Sequence, residues 1–188
     1  MDAIELLTTR ASNGKLTEPA PDAEALRSAF EAAARAPDHA GLRPWRVRII
    51  RGEARERLGE LMAESLLRSH PQATAAELLK AKGKALRAPL ILVVAAVLTR
   101  HPKVPELEQT LAAGTAAHAI LLALQARGYA AIWRTGGIAY DPAVKQALGF
   151  SAADAIVGFL YAGTPKQPPV PLTRPLPEEF VSEWSGPE

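Results

Sequence analysis

The chain has 188 residues, 48% of them hydrophobic and 22% charged, with a formal net charge of +2. That is the length and composition of one globular domain with a substantial core. The small net charge and scattered arginines predict no nucleic-acid partner, and the absence of cysteine excludes disulfides, thiolate catalysis and cysteine-based metal sites.

The opening MDAIELL carries acids and lacks a basic n-region, so no signal peptide is expected. Residues 2–9 read as a short helix. Residues 10–21, RASNGKLTEPAP, read as a polar loop punctuated by Gly14, Pro19 and Pro21. Asp22 is the expected N-cap of a helix through Arg35, with Leu26, Phe30 and Ala33 on one face. The passage APDHAGLRPW then leads to a strand candidate, VRII, at 47–50, and Trp45 just before it reads as core. Helices are predicted over 53–69 and 74–87, with Pro71 between them.

LILVVAAVL, 90–98, is the continuous apolar run of a strand buried on both faces. The longest apolar stretch, 88–98, is too short to span a bilayer, so no membrane partner is expected and the cytoplasm is the default location. Beyond Pro102 and Pro105, residues 106–127 carry the longest helical pattern. It is apolar enough to predict a central buried helix, with His118 as a satisfied core residue. Gly128 ends that helix, and YAAIW, 129–133, reads as a strand. Asp141-Pro142 opens a further helix as N-cap and first helical residue. AIVGFLYAG, 155–163, is the last strand. Seven of the 16 prolines follow Gly163, alongside Leu172, Leu176, Phe180 and Trp184. Residues 1–188 thus read as a single domain in which 164–188 form a proline-rich tail, packed on its own subunit or crossing to a partner.

Three segments place an arginine beside turn residues at the end of a predicted element: TTRASNGK (8–15), RAPDHAGLRPW (35–45) and IWRTGG (132–137). Guanidinium with a neighbouring hydroxyl suits phosphate oxygens, and Arg10 with Ser12, and Arg134 with Thr135, are such pairs. Alone, each pair is read in favour of an ordinary solvated surface side chain. His39 can act as a ligand, a base or a donor to a cofactor ring, or can simply cap its loop. No second histidine sits at ligand spacing, so no metal is expected. There is no Gly-x-Gly-x-x-Gly after a strand, no P-loop and no Gly-x-Ser-x-Gly.

Taken together, these motifs resemble the nitroreductase family of FMN-dependent oxidoreductases, in its small, compact branch. The resemblance is carried by Arg10-Ala11-Ser12 after the first helix, by Arg35-Ala36-Pro37-Asp38-His39 running on to Pro44-Trp45, by Gly128 to Gly136 with Ile132-Trp133-Arg134-Thr135, and by IVGFLYAGTP at 156–165. It covers residues 1 to about 165. It implies an α+β fold, a central, mainly antiparallel sheet flanked by helices, in an intertwined homodimer with FMN at the subunit interface. Arg10, Ala11 and Ser12 would follow the phosphate and ribityl chain, and Trp133, Arg134 and Thr135 would run along the cofactor. Arg35 and His39 would reach the FMN held mainly by the other subunit. The implied activity passes hydride from NAD(P)H through FMN to a nitroaromatic, quinone or related acceptor by a ping-pong cycle, with no catalytic side chain because the flavin carries the chemistry. A specialised flavin reductase or dehydrogenase for one metabolite, or a flavin-binding protein with little catalysis, are the alternatives. Ala11 stands where relatives often carry a basic residue, and Gly41 and Arg43 replace the Asn and Gln common before Pro-Trp in larger relatives.

Overall fold

In the computed structural model, which describes residues 2–169 and 172–186, the sheet forms around the apolar run Leu90–Ala96 (β3), all seven residues of which are buried. β3 pairs with β2 (Trp45–Arg51) on one side and with β5 (Ala155–Pro165) on the other. The far edge of β5 takes β4 (Ala130–Arg134) along residues 159–163, then the two-residue β1 (Leu16–Thr17) against Thr164 and Pro165. Every pairing among the described residues is antiparallel.

Because side chains alternate along a strand, β3 and β5 feed two cores. On one face Leu92, Val94 and Leu160 meet Leu26 and Ala29 of α2 (Ala23–Ala33) and Ile120 and Leu124 of α5 (Glu106–Ala126). On the other, Ile91, Val93, Phe159 and Tyr161 meet Leu58 and Met62 of α3 (Ala54–Ser69) and Ala85 in the 3-10 turn Gly83–Leu86. The helices begin where the chain supplies caps. Asp22 accepts from the Ala25 N–H at 2.8 Å. Thr74 and Glu77 form a capping box at the start of α4 (Ala75–Lys82). Asp141, with Pro142 behind it, caps α6 (Pro142–Ala147).

Four expectations need correction. The polar loop 10–21 contains β1, because Leu16 is buried and Leu16 and Thr17 find ladder partners in Pro165 and Thr164 at the end of β5. The helix expected to run to residue 87 stops at Lys82 and tightens into the 3-10 turn before Pro89. The helix 106–127 is buried on one side only: eight of its residues are enclosed, while Leu107 and Leu111 are 68% and 61% exposed. His118 lies on that outer side and is exposed, not a core residue. By length and composition alone α5 could cross a membrane, but its buried side packs on α2 and the sheet. Trp45 is half-buried against the α2–α5 core.

Candidate active site

β4 and the turn after it organise the site. Side chains of β4 alternate, so Ala131 and Trp133 join the α2–α5 core while Ile132 packs on the opposite one. The Trp133 indole N–H donates to the Val157 carbonyl at 3.0 Å. That carbonyl is available because the β3–β5 register shifts there, pairing Val94 with Gly158 and Ala95 with Ile156, so Val157 is an extra residue in a β-bulge. Gly158 must be glycine for the same reason, since a Cβ would lie 2.1 Å from Trp133 Nε1. After Arg134 the chain turns sharply at Gly136, with φ 123° and ψ −177°, a conformation essentially restricted to glycine.

This turn opens a cavity of about 490 Å³. Phe159 and Tyr161 of β5 line it, α3 contributes Met62 and Ser65, and Trp133 to Ile138 close the opposite side. Arg134, Lys84 and Arg87 bring positive charge, and no carboxylate is among the lining residues. The Arg134 guanidinium lies 5.8 Å from the centre of the Tyr161 ring, and its Nε is buried without a hydrogen-bond partner among the described residues. Leaving a buried donor unpaired costs about 1–3 kcal/mol. The side chain is therefore disposed toward an acceptor that its own chain does not supply. Burial pushes the Tyr161 phenol above its ordinary value, against the pull of Arg134 and Arg87. It stays a neutral O–H through the physiological range.

The amino-terminal loop is pinned beside Arg134. Asn13 N–H donates to the Ala131 carbonyl at 3.1 Å, and its side-chain amide donates to the Gln167 carbonyl at 2.9 Å. A Cβ on Gly14 would stand 3.2 Å from an Arg134 guanidinium nitrogen, so the missing side chain lets loop and arginine meet. Arg10 is half-buried and Ser12 exposed on this loop. Ala11, with Asn13, Tyr129 and Pro165, lines a second hollow of about 300 Å³.

Of the residues singled out from sequence, Trp133, Arg134 and Thr135 line the main cavity, and Ala11 lines the second hollow. Arg10 and Ser12 line neither, nor do Arg35 and His39. Arg35 is exposed just past α2, and His39 pairs with Glu108 at the start of α5. One chain does not gather all eight. Sequence reasoning missed Gly14, Ser65, Lys84, Arg87 and Tyr161. Lys84 and Arg87 carried no local signal, because cations in the last turns of a helix ordinarily complement its dipole. The return of the chain after α4 brings them to the cavity.

A sequence model described as "Nitroreductase family" matches residues 7–164. An Escherichia coli (strain K12) protein named "Putative NAD(P)H nitroreductase YdjA" is 40% identical over 183 residues, 97% of this chain and 99% of that one. A like-named Haemophilus influenzae protein is 39% identical over 165 residues, 87% of this chain and 89% of that one. Among solved structures, a nitroreductase-like family protein from Bacillus cereus superposes with a TM-score of 0.84 at 23% identity, over 99% of this chain and 97% of that chain. A Desulfovibrio desulfuricans protein assigned as a nitroreductase and solved in complex with FMN gives a TM-score of 0.73 at 25% identity, over 97% of both chains.

Proposed function

The chain belongs to the nitroreductase family, and on that premise we propose that it is an FMN-dependent oxidoreductase with NAD(P)H as reductant and a nitroaromatic, quinone or related molecule as acceptor. The observation that carries the reading is Arg134: a buried, unpartnered guanidinium nitrogen in a cavity lined by three cations and no carboxylate. Those residues fit an anionic cofactor. Arg134, with Arg10 and Ser12 on the loop beside it, would hold the phosphate end. Lys84 and Arg87 supply positive charge to a group whose reduced form is negative. The Trp133–Gly137 backbone and the neutral Tyr161 hydroxyl orient it, and Phe159 and Met62 keep that side of the cavity apolar. When bound, FMN supplies hydride acceptance and donation, so no side chain needs to act as acid or base in that transfer. Reductant and acceptor would use one cavity in turn, the arrangement of a ping-pong cycle.

The same reading includes a homodimer with the cofactor between subunits. It is supported by the exposed apolar side chains of α5 and of α1 (Ala3–Thr9), where Ile4 and Leu7 are 68% and 52% exposed. Arg35 and His39, which line neither hollow of their own chain, would then serve the other subunit's FMN.

The test is the visible spectrum of the purified protein, followed by anaerobic addition of NADPH or NADH. A yellow protein that bleaches rapidly supports catalysis, whereas a protein that binds FMN but is not reduced is a flavin carrier. A panel of acceptors compared by kcat/KM separates broad nitroreductase activity from a reductase or dehydrogenase for one metabolite. Arg134→Ala should weaken FMN binding about tenfold or more, as expected for loss of a charge-assisted hydrogen bond; unchanged affinity by flavin-fluorescence titration would remove Arg134 from the cofactor.

A further inference from the structure

His39 and Glu108 stand 69 residues apart in the chain, yet the imidazole Nδ1 lies 2.6 Å from the carboxylate Oε2. Both sides of the pair are braced. Next to Glu108, the buried Gln109 accepts from the Thr99 N–H at 2.9 Å and donates to the Thr99 carbonyl at 2.8 Å, fixing the first turn of α5. On the other side the Asp38 carboxylate accepts from the Arg43 N–H at 2.7 Å and closes the turn that carries His39. Arg46 donates to the Arg43 carbonyl at 2.8 Å, and the next carbonyl, that of Pro44, accepts from Val97 at 2.8 Å. Within this turn Ala40 has φ 61° and Arg43 φ 49°, and among the described residues no other non-glycine residue has positive φ. Left-handed backbone at a residue bearing a Cβ persists only where the surroundings over-determine it, and such strain gathers at functional sites.

A carboxylate on one imidazole nitrogen selects the tautomer and fixes the ring plane, which leaves the other nitrogen to meet a ligand. Among the described residues nothing bonds His39 Nε2. We propose that Glu108 is a positioning residue for His39, accepting a hydrogen bond from Nδ1–H and holding the ring so that Nε2 is presented to the FMN of the opposite subunit. The inference rests on the reading above that His39 reaches that cofactor. A bland alternative exists in the same residue: an acid in the first turn of a helix complements the dipole whatever stands opposite it. The two roles differ in whether the effect of Glu108 passes through His39.

The experiment is a double-mutant cycle of Glu108→Ala and His39→Ala on the full-length protein, read by FMN affinity, together with the side-chain nitrogen shifts of His39 in FMN-free protein. Wild type should show the Nδ1–H form, and Glu108→Ala should revert to the tautomer mixture of a free imidazole. Glu108→Ala should weaken FMN binding about fivefold in the His39 background and leave it unchanged in the His39→Ala background, the non-additivity expected of contacting residues. Glu108→Gln, which keeps an acceptor at that position, should restore most of the affinity. If Glu108→Ala weakens FMN equally in both backgrounds, the dipole role is correct and the positioning role is overturned. If His39→Ala itself leaves FMN affinity unchanged, the cross-subunit contact fails and the proposal falls with it. If His39→Ala weakens FMN but the tautomer of His39 does not depend on Glu108, only the positioning role is overturned.

Discussion

Trp133 shows how one side chain at the site is held by backbone choices on another strand. Its indole needs a free acceptor and a neighbour with no Cβ, and the bulge at Val157 with Gly158 beside it provides both. Gly158→Ala should therefore destabilise the fold by about 1–3 kcal/mol, the range for overpacking a dense core. It should also shift the tryptophan emission; denaturant unfolding and fluorescence on one sample check both, and an unchanged midpoint would mean the indole relaxes without cost. Asp141 is a second informative residue. Burial pushes its carboxyl up, but hydrogen bonds from Ser65, Arg68 and the Ala143 N–H outweigh it and leave the group below its ordinary value. A lowered folded-state value stabilises the protein above the unfolded carboxylate value, about pH 4, and that contribution disappears as pH falls through the folded value. Asp141→Asn should flatten the acid limb of the stability profile relative to wild type; identical limbs would mean that other carboxylates govern it.

The α3–α4 hairpin and the turn after it line one wall of the cavity. Gly59 of α3 lies so near the end of α4 that a Cβ there would stand 2.5 Å from the Lys82 carbonyl oxygen. Two residues on is Lys84, at the cavity wall. Gly59→Ala should force the helices apart, costing about 1–3 kcal/mol as an overpacked contact, and should weaken FMN binding by moving Lys84. Thermal unfolding and FMN titration test the two consequences separately. Loss of stability with unaltered FMN affinity would show that Lys84 does not touch the cofactor. Arg68 ties α3 to the cap of α6 through a 2.9 Å contact with Asp141, so the other end of α3 is fixed as well.

Across the molecule as a whole, the carboxy-terminal segment leaves several large apolar side chains uncovered. Leu172, Leu176, Phe180, Val181 and Trp184 are between 53% and 84% exposed. Arg174 does tie the segment back, donating to the Arg10 carbonyl at 2.8 Å. An array of exposed large apolar side chains marks an interaction surface, and in the proposed dimer it would lie on the second subunit. Deleting residues 172–188 should shift the mass in sedimentation from dimer toward monomer and lower FMN retention in parallel. A deletion variant that remains fully dimeric and yellow would confine the tail to its own subunit.

Much of this was legible because it depends on residues close in sequence. Asp22 and Asp141 announced helix starts, the apolar run at 90–98 announced a strand enclosed on both faces, and Trp133-Arg134-Thr135 announced a strand end carrying a phosphate-suited arginine and hydroxyl. Each is a short-range consequence of capping, periodicity or turn chemistry. Lys84, Arg87 and Tyr161 could not be found that way, since they come from a 3-10 turn, the residue that ends it and a strand, all remote from Arg134 in the chain, and only packing around the sheet makes them neighbours. The pairing of His39 with Glu108 has the same character. The exposure of α5 was hidden for the opposite reason: composition records how apolar a helix is, but whether its outer side meets protein or water depends on what else is folded against it.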